Sequence, residues 1–349
     1  MPNFYTLKIY QIRPLTPSSV AITFEIPEEL YETFDFIPGQ YITIKKKVNG
    51  QELRRAYSIS SLPKTNRITI GVKKVDQGGF SHFANTQLAV GDSLEVMPPE
   101  GRFVFNPSET PKKIAAFAAG SGITPIMSIV RSVLESHPQN EFVLVYGNRS
   151  YEEAMFHEEL KQLHSNYTNR FSIYFINSRA HEKDALFGRI DASTVNYVLK
   201  NKHKDTLFDA HYLCGPEAMI NLVTDTLTGN AISKDRIFFE LFIPTETPKI
   251  LSETPEGQTQ LTVVLDDEEF ILDMDRKTRV LDAVLNENID APYSCQGGVC
   301  SSCIARIKEG KADMVQNQIL TDGEIEEGFV LTCQALPLTP TLTVDYDDV

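Results

Sequence analysis

The sequence predicts a multidomain protein in which an antiparallel β-barrel, an open parallel α/β sheet and a small acidic module follow one another. Its 349 residues exceed what one core usually holds, at roughly 150 residues per domain. Near residue 112 the pattern changes from short alternating runs to strands that alternate with helices. Residues 259–349 hold 18 acidic and 6 basic residues, most of the formal net charge of −14. These changes place the domains at 1–107, 108–243 and 259–349, with a linker at 244–258.

Residues 1–107 have the pattern of a barrel built from short strands. Apolar and polar residues alternate at 21–26, 41–44 and 67–72, which is typical of half-buried strands. Turn pairs such as Pro38-Gly39 and Asn49-Gly50 separate these runs at short intervals. The helix predicted in this domain covers 81–87, directly after Gly78-Gly79.

Residues 108–243 predict an open parallel sheet with helices on both faces. A buried strand at 114–119 runs into Gly120 and Gly122, and apolar residues then recur at helical spacing from 126 to 134. We expect Thr124 to cap this helix and Pro125 to be its first residue. Further buried strands at 142–146, 171–176 and 211–214 complete a sheet of the kind that binds nucleotides. The following segment, 244–258, contains three prolines and no helical pattern, so it predicts a mobile linker.

Cysteine spacing is the strongest chemical signal in the sequence. Cys295, Cys300, Cys303 and Cys333 form the pattern C-x4-C-x2-C, followed by 29 residues and a fourth cysteine. This is the spacing of plant-type [2Fe–2S] sites. Structural zinc usually requires two short cysteine pairs and stays a weaker alternative. Disulfides are disfavoured, because we find no secretion signal and reduced thiols are the rule in the cytoplasm.

Charge and hydropathy exclude several classes of partner. The acidic balance argues against nucleic acid and anionic membrane surfaces, since both require basic faces. The most apolar stretch, 114–119, is far shorter than the roughly 18 residues of a membrane span. Residues 1–15 contain no apolar signal core. We therefore expect a cytoplasmic protein.

The segments 292–303 and 331–335 resemble the plant-type ferredoxin family over about 90 residues. The resemblance implies a small β-grasp fold of the α+β class, with a [2Fe–2S] cluster held by the four cysteines. An apolar pattern over 280–285 predicts the short helix that precedes the cluster loop in that family.

The first domain resembles the flavin-binding barrel of the ferredoxin–NADP reductase family. The resemblance rests on 55–60 (Arg-Ala-Tyr-Ser-Ile-Ser) followed by 78–81 (Gly-Gly-Phe-Ser). It implies FAD rather than FMN, with Arg55 on the pyrophosphate, Tyr57 stacked on the flavin ring and Ser58 near its N5 atom. Gly79 and Ser81 would hold phosphate oxygens. The remaining residues assigned to the flavin site are Ala56, Ser60 and Phe80.

The second domain resembles the nucleotide domain of the same family through three turns in the expected order. These are 120–125, 146–149 and 214–216, and they assign to the nucleotide Gly120, Gly122, Thr124, Pro125, Arg149, Cys214, Gly215 and Pro216. The resemblance places Cys214 at the nicotinamide end. It also places a segment such as Glu240–Phe242 beside the flavin, with Phe242 shielding the ring. Alternatively, Phe242 is simply part of an apolar edge strand. We take Ser58, Cys214 and Glu240 as the candidate catalytic residues.

Ser178 and Arg179 favour NADPH over NADH, because NADPH enzymes of this family place a Ser-Arg pair after this strand. No acid occupies these two positions, although Glu182 and Asp184 are close. The Lys and Tyr of plant members are not clearly present, and Arg149 or Arg189 would take their place.

The order of the three modules resembles the reductase components of bacterial oxygenases. It implies electron flow from NADPH through FAD and the [2Fe–2S] cluster to an oxygenase or another acceptor protein. The acidic module would dock on a basic patch of that acceptor. Alternatively, the acidic residues of this module form a solvated surface that serves solubility alone. Alternatives for the whole chain are a stand-alone ferredoxin or cytochrome-type reductase, and a non-enzymatic redox sensor or zinc-stabilised interaction protein.

Overall fold

The computed structural model describes residues 3–48, 50–76, 78–242 and 256–349. They form two compact units. One comprises Tyr5–Leu53 and Tyr57–Leu241, and the other comprises residues 3–4, Arg54–Ala56, Phe242 and 256–349. Residue 243, and residues 244–255 of the predicted linker, lie outside the described residues.

The first domain is a six-stranded antiparallel barrel with strand order β4-β3-β6-β1-β2-β5. Alternation builds its core: in β1, Leu7 and Ile9 are buried whereas Lys8 and Tyr10 are exposed. An isolated bridge between Ile59 and Ile70 joins the end of β4 to β5, so the sheet closes on itself. The elements are β1 (Tyr5–Thr16), β2 (Ser19–Glu25), β3 (Tyr41–Val48), β4 (Gln51–Ser58), β5 (Arg67–Lys73), α1 (Gly79–Thr86) and β6 (Ser93–Val96).

The second domain is a six-stranded parallel sheet with strand order β10-β9-β8-β7-β11-β12. Residues 114–118 of β7 are all buried, as expected for a central parallel strand that is covered on both faces. Its strands are β7 (Lys113–Ala119), β8 (Glu141–Asn148), β9 (Phe171–Asn177), β10 (Ala185–Phe187), β11 (Ala210–Cys214) and β12 (Ile237–Glu240). Its helices are α2 (Ile123–Ser136), α3 (His157–Asn166), α4 (Ala192–Asn196), a π-helix (Tyr197–Lys202) and α5 (Glu217–Gly229).

The barrel packs against the parallel-sheet domain through charged and apolar contacts. Glu159 of α3 accepts hydrogen bonds from Arg13 of β1 and Arg131 of α2. Gly71 of β5 lies against the side chains of Thr124 and Met155, where an added Cβ would come within 2.8 Å of either. The two domains therefore form one packed unit.

The start of α2 differs from the sequence prediction. Residues Gly120–Gly122 form a turn of 3-10 helix, and the α-helix begins at Ile123 with Gly122 as its N-cap. The Thr124 hydroxyl does not cap the helix but donates to Ser121 O at 3.0 Å, and Pro125 is the third helical residue. The capping prediction was wrong because the 3-10 turn starts the helical backbone earlier than the sequence pattern suggests.

The C-terminal module is a mixed five-stranded sheet, in the order β14-β13-β19-β15-β17, with a small β16-β18 sheet beside it. Among the described strand pairs of the large sheet, only β13 and β19 are parallel. Its strands are β13 (Gln258–Leu265), β14 (Glu268–Asp275), β15 (Ile304–Glu309), β16 (Ala312–Met314), β17 (Phe329–Leu331), β18 (Ala335–Pro337) and β19 (Thr341–Asp345). Its helices are α6 (Val280–Asn286), at the predicted place, and α7 (Asp322–Glu326).

The predicted fold class is confirmed for all three modules. No helix in the described ranges is long and apolar enough to cross a membrane.

Candidate functional site

The four C-terminal cysteines lie in two pairs. The Cys300 thiol donates to Cys295 Sγ at 3.0 Å, and Cys303 hydrogen-bonds to Cys333. Thr332 brings the second pair together, since its backbone N–H and its hydroxyl donate to Cys303 O at 3.1 and 3.0 Å. The loop and the distant segment predicted from the spacing therefore meet at one place.

Hydrogen bonds around the pairs favour the thiolate form of one cysteine in each. The hydrogen bond from Cys300 lowers the pKa of Cys295 to about 6, aided by the backbone N–H of Gly297 at 3.3 Å. The pKa of Cys333 is lowered chiefly by its bond from Cys303. The pKa values of Cys300 and Cys303 are raised, because each donates to its partner and is buried.

The paired arrangement fits a [2Fe–2S] cluster better than zinc. Structural zinc gathers four ligands around one ion, whereas a [2Fe–2S] cluster has two irons, each held by two cysteines. Two separate thiol pairs are what two irons require.

Glycine and glutamine shape the cluster loop. Gly298 has a φ of +72°, and a Cβ there would lie 2.9 Å from Gln316 O. Gln334 is buried and donates from Nε2 to Gln296 O at 3.0 Å. The hydroxyl of Tyr346, also buried, donates to Thr332 Oγ1 at 2.9 Å. Sequence reasoning missed Thr332, Gln334 and Tyr346, because their contacts come from distant segments.

The predicted flavin residues lie at the end of β4 and beyond it. Arg55 is exposed, and its Nη1 donates to Arg54 O at 2.7 Å. The half-buried ring of Tyr57 lies 5.5 Å from that of Phe80. Ser60 is buried, and its hydroxyl donates to Thr69 O, so its side chain serves the barrel itself.

The predicted phosphate turn opens onto a cavity. Helix α1 begins at Gly79, two residues before the predicted start. The Ser81 hydroxyl accepts a bond from Val75 N at 3.2 Å and so holds the turn closed. A cavity of about 370 Å³ lies at this end of the helix and is lined by Lys47, Val48, Gly78, Gly79, His82, Phe83 and Gln87. The Lys47 cation and the N-terminal residues of a helix are suited to the phosphate groups of a nucleotide diphosphate.

Ser58, Cys214 and Glu240 are brought together where the carboxyl ends of β11 and β12 meet the barrel. Cys214 and Glu240 are register partners on the two strands, and Ser58 Oγ donates to Glu240 Oε2 at 3.1 Å. Burial raises the pKa of Glu240 to about 8, although the bond from Ser58 opposes the shift. The carboxyl is therefore mainly protonated at pH 7.

Cys214 is a buried thiol and not an exposed one. Its side chain is 0% exposed and belongs to the core of the parallel sheet. Burial, and then the charge of Glu240, raise the pKa of its thiol. Such a thiol is a poor nucleophile, and the place of Cys214 at the nicotinamide end stays a prediction.

The predicted nucleotide cations meet at the carboxyl ends of β8 and β9. Arg179 N donates to Arg149 O at 2.9 Å, and both guanidinium groups are exposed. The Ser178 hydroxyl donates to Asn148 O at 3.2 Å. Both carboxylate oxygens of Glu182 accept bonds within the loop, from Asn177 Nδ2 and Tyr151 N.

The glycine turns are required by close backbone approach. A Cβ at Gly122 would lie 2.1 Å from Cys214 O, and one at Gly215 would lie 2.8 Å from Met219 Cε. The Tyr146 hydroxyl donates to Gly120 O at 3.0 Å and fixes the first turn. Pro216 then precedes α5 as its N-cap. Phe242 is about one-third exposed, and its role as a shield of the flavin stays a prediction.

Comparison with known proteins agrees with this arrangement of modules. The family described as "Oxidoreductase FAD-binding domain" matches residues 6–105, and "Oxidoreductase NAD-binding domain" matches residues 117–225. The family described as "2Fe-2S iron-sulfur cluster binding domain" matches residues 263–338.

Two relatives match over nearly the whole chain. One is the 1,2-phenylacetyl-CoA epoxidase subunit of Escherichia coli (strain K12), which is 36% identical, with 99% of each chain covered. The other is the ferredoxin reductase component of 3-ketosteroid-9-alpha-monooxygenase from Rhodococcus rhodochrous. It is 31% identical, covering 95% of this chain and 93% of its own.

Solved structures show the same fold at lower identity. Phthalate dioxygenase reductase is 24% identical, with a TM-score of 0.61 and 98% of both chains covered. An intact type IV self-sufficient cytochrome P450 monooxygenase is 22% identical with a TM-score of 0.71, covering 98% of this chain and 41% of its own. The chain thus belongs to the family of ferredoxin–NADP reductase-type oxidoreductases that carry FAD- and NAD-binding domains followed by a C-terminal [2Fe–2S] ferredoxin domain.

Proposed function

We propose that this protein is the NADPH-dependent reductase component of an oxygenase, passing electrons through FAD and a [2Fe–2S] cluster to an oxygenase partner. The observation that carries the proposal is the pairing of Cys295 with Cys300 and of Cys303 with Cys333 on the family's ferredoxin module. When bound, FAD accepts a hydride with two electrons and the cluster accepts one electron, so together they convert a two-electron donor into single-electron steps.

In this proposal the barrel binds the flavin by charge and stacking. Arg55 would pair with the pyrophosphate, and the half-buried Tyr57 ring would stack on the flavin. The backbone N–H groups at Gly79 would meet phosphate oxygens, with Lys47 adding positive charge from the cavity wall. This cavity supports FAD over FMN, because only FAD carries the adenosine half that would fill it.

Ser58 and Glu240 would hold a proton beside the flavin. With its pKa near 8, Glu240 is neutral at pH 7, and its Oε2 accepts from the Ser58 hydroxyl. The other carboxyl oxygen can then carry the proton and donate it. A neutral pair avoids placing a fixed negative charge where hydride arrives, and it orients the Ser58 hydroxyl toward one acceptor.

NADPH is supported over NADH by the charges at the ends of β8 and β9. Arg149 and Arg179 present exposed guanidinium groups for a 2′-phosphate, and Arg189 follows the neighbouring strand β10. Of the two nearby acids, Glu182 and Asp184, Glu182 has both carboxylate oxygens engaged by Asn177 and Tyr151.

Replacing Arg179 tests this preference. Arg179→Leu should raise the KM for NADPH by about tenfold, since one charge-assisted phosphate contact is worth about 1.5–3 kcal/mol, and leave that for NADH unchanged. Lys161→Leu removes a cation of α3 as the matched control and should change neither KM. Equal effects on both coenzymes would contradict the assignment.

We propose a phenylacetyl-CoA epoxidase-like system as the partner, supported by the 36% identity over the full chain to the Escherichia coli epoxidase protein. The acidic module would dock on a basic patch of the oxygenase, as its charge suggests. A stand-alone reductase would reduce cytochrome c as fast as it reduces any protein partner. An oxygenase component should instead support coupled substrate oxidation only when its own oxygenase is present.

An anaerobic NADPH titration followed by visible absorbance tests the electron route. The flavin and iron–sulfur bands should both bleach, and faster with NADPH than with NADH. Cys333→Ser should lose iron and keep flavin bleaching, whereas Cys214→Ser should keep its iron. A protein that stays colourless after anaerobic reconstitution would contradict the reductase assignment and favour the zinc or sensor alternatives.

A further inference from the structure

Arg54 is a buried arginine whose surroundings the proposed function does not explain. It lies in β4 directly before Arg55, and only 5% of it is exposed. Charged side chains are rarely buried unless they are paired. Its Nη2 donates to Asp290 Oδ1 at 2.7 Å.

Aromatic rings contact the same guanidinium group. The Arg54 Cζ atom lies 4.3 Å from the centre of the Tyr293 ring and 5.0 Å from that of Phe4. A planar guanidinium can stack on rings and bind a carboxylate in its own plane at once, which a lysine ammonium cannot do. The site is thus built for arginine.

The partners of Arg54 identify what it holds. Tyr293 lies two residues before Cys295 and Asp290 lies five residues before it, so both belong to the segment that leads into the cysteine loop. Residues Arg54–Ala56 belong to the same compact unit as this loop. The carbonyl of Arg54 also accepts the bond from Arg55 Nη1, and thereby orients the predicted flavin ligand. One residue therefore contacts the cluster loop through its side chain and the flavin motif through its backbone.

We infer that Arg54 is a positioning residue for the cysteine loop that would hold the [2Fe–2S] cluster. Through Asp290 and Tyr293 it fixes the start of this loop against the Arg54–Ala56 segment of the same compact unit. The inference rests on the proposed function, and it assigns Arg54 no contact with either cofactor.

Anaerobic stopped-flow mixing of the holoenzyme with NADPH tests the inference, because flavin and cluster reduction have separate absorbance changes. Arg54→Met keeps the length of the side chain and removes its charge and planar group. It should slow cluster reduction by about tenfold, a size that small misplacements of reacting groups can produce, and change flavin reduction less than about twofold. Arg67→Met is the matched control, since Arg67 stacks on Tyr10 at 3.5 Å in the barrel and should change neither rate.

Asp290→Asn and the double variant separate the ion pair from general packing. If Arg54 acts through Asp290, Arg54→Met/Asp290→Asn should be no slower in cluster reduction than Arg54→Met alone. Arg54→Lys should restore only part of the rate, because it keeps the charge without the planar stacking group. If Arg54→Met fails to fold, Asp290→Asn and Arg54→Lys can be measured in its place.

Hydrogen exchange of the backbone provides a readout that does not depend on turnover. Peptides covering 290–295 should exchange faster in Arg54→Met, while peptides from the parallel sheet should be unchanged. Unchanged exchange, unchanged cluster reduction or an equal loss of both reduction rates would overturn the inference. If the wild-type cluster is not reduced by NADPH at all, it is the proposed function that has failed.

Discussion

At the residue scale, the candidate site contains a few buried polar groups whose ionisation is set by their surroundings. The Glu240 carboxyl is 8% exposed and has one hydrogen-bond donor, Ser58, so burial dominates and keeps it neutral. The cysteine pairs show the opposite balance, since sulfur and backbone donors outweigh burial at Cys295. Perturbed pKa values of both kinds are typical of functional sites.

Replacing Glu240 should change how stability depends on pH. Its pKa is about 8 in the folded protein and 4.5 in the unfolded chain, so the folded state binds more protons between these values. The free energy of unfolding should therefore fall by about 1.4 kcal/mol per pH unit across that window through this group. Glu240→Gln should remove this part of the slope, as urea unfolding at pH 5 and pH 8 would show. An unchanged slope would mean that Glu240 is ionised in the folded protein.

The sequence predicted the four cysteines and the Ser58–Glu240 pair in different ways. A plant-type [2Fe–2S] loop requires a characteristic spacing of its cysteines, and this spacing can be recognised in the sequence without a structure. The Ser58–Glu240 contact joins residues 182 positions apart, and only the family resemblance placed both at one site. Arg54 was missed, because its position before Arg55 resembles an ordinary surface cation and its burial depends on Asp290 and Tyr293.

At the element scale, close backbone approach decides where glycine is required. The turn after β7 passes so close to the end of β11 that Gly122 has no room for a side chain. Strand positions in both sheets agree with the sequence patterns, because alternation and continuous apolar runs report burial directly. The start of α2 could not be predicted, because the 3-10 turn depends on this contact with β11 and not on local capping.

Gly122→Ala should destabilise the nucleotide domain. The new methyl group would meet Cys214 O at 2.1 Å, and overpacking of this kind costs about 1–3 kcal/mol. Gly229→Ala is the matched control, because no atom lies within 4 Å of its added Cβ at the end of α5. Thermal unfolding of both variants gives the comparison. A melting temperature for Gly122→Ala equal to the wild-type value would show that the turn shifts to make room.

In one hairpin of the C-terminal module, an acidic side chain stabilises a turn that is itself formed by acidic residues. Asp266 and Asp267 both have positive φ values, of 56° and 61°, in the turn between β13 and β14. Their backbone N–H groups donate to the carboxylate of Asp347 at 3.0 and 2.9 Å. The sequence shows only a cluster of acids here, whereas the structure shows that one of them stabilises the turn.

At the scale of the whole molecule, the net negative charge is concentrated in the C-terminal module. The acidic residues of 259–349 include an exposed group, Asp266, Asp267, Glu268 and Glu269, on the module that carries the cluster cysteines. The rest of the chain is almost neutral in net charge. Such an asymmetry favours electrostatic steering of the C-terminal module toward a basic partner.

Salt should therefore slow electron delivery to the protein partner more than the internal steps. Raising the ionic strength from about 0.05 to 0.5 M shortens the Debye length well below 10 Å, and we expect acceptor reduction to slow by about tenfold. A neutral quinone, used as the acceptor at saturating NADPH, is the control and should show little change. Equal salt dependence for both acceptors would indicate that the acidic surface serves solubility only.

The cysteine pairs also define how the protein would fail before it receives iron. Two sulfur atoms 3.0 Å apart need to approach by only about 1 Å to form a disulfide. If oxygen oxidises this pair before a cluster is inserted, the resulting disulfide cannot bind iron until it is reduced. Iron loading thus competes with oxidative damage at the same atoms, and the yield of active protein should depend on the thiol reductant present during maturation.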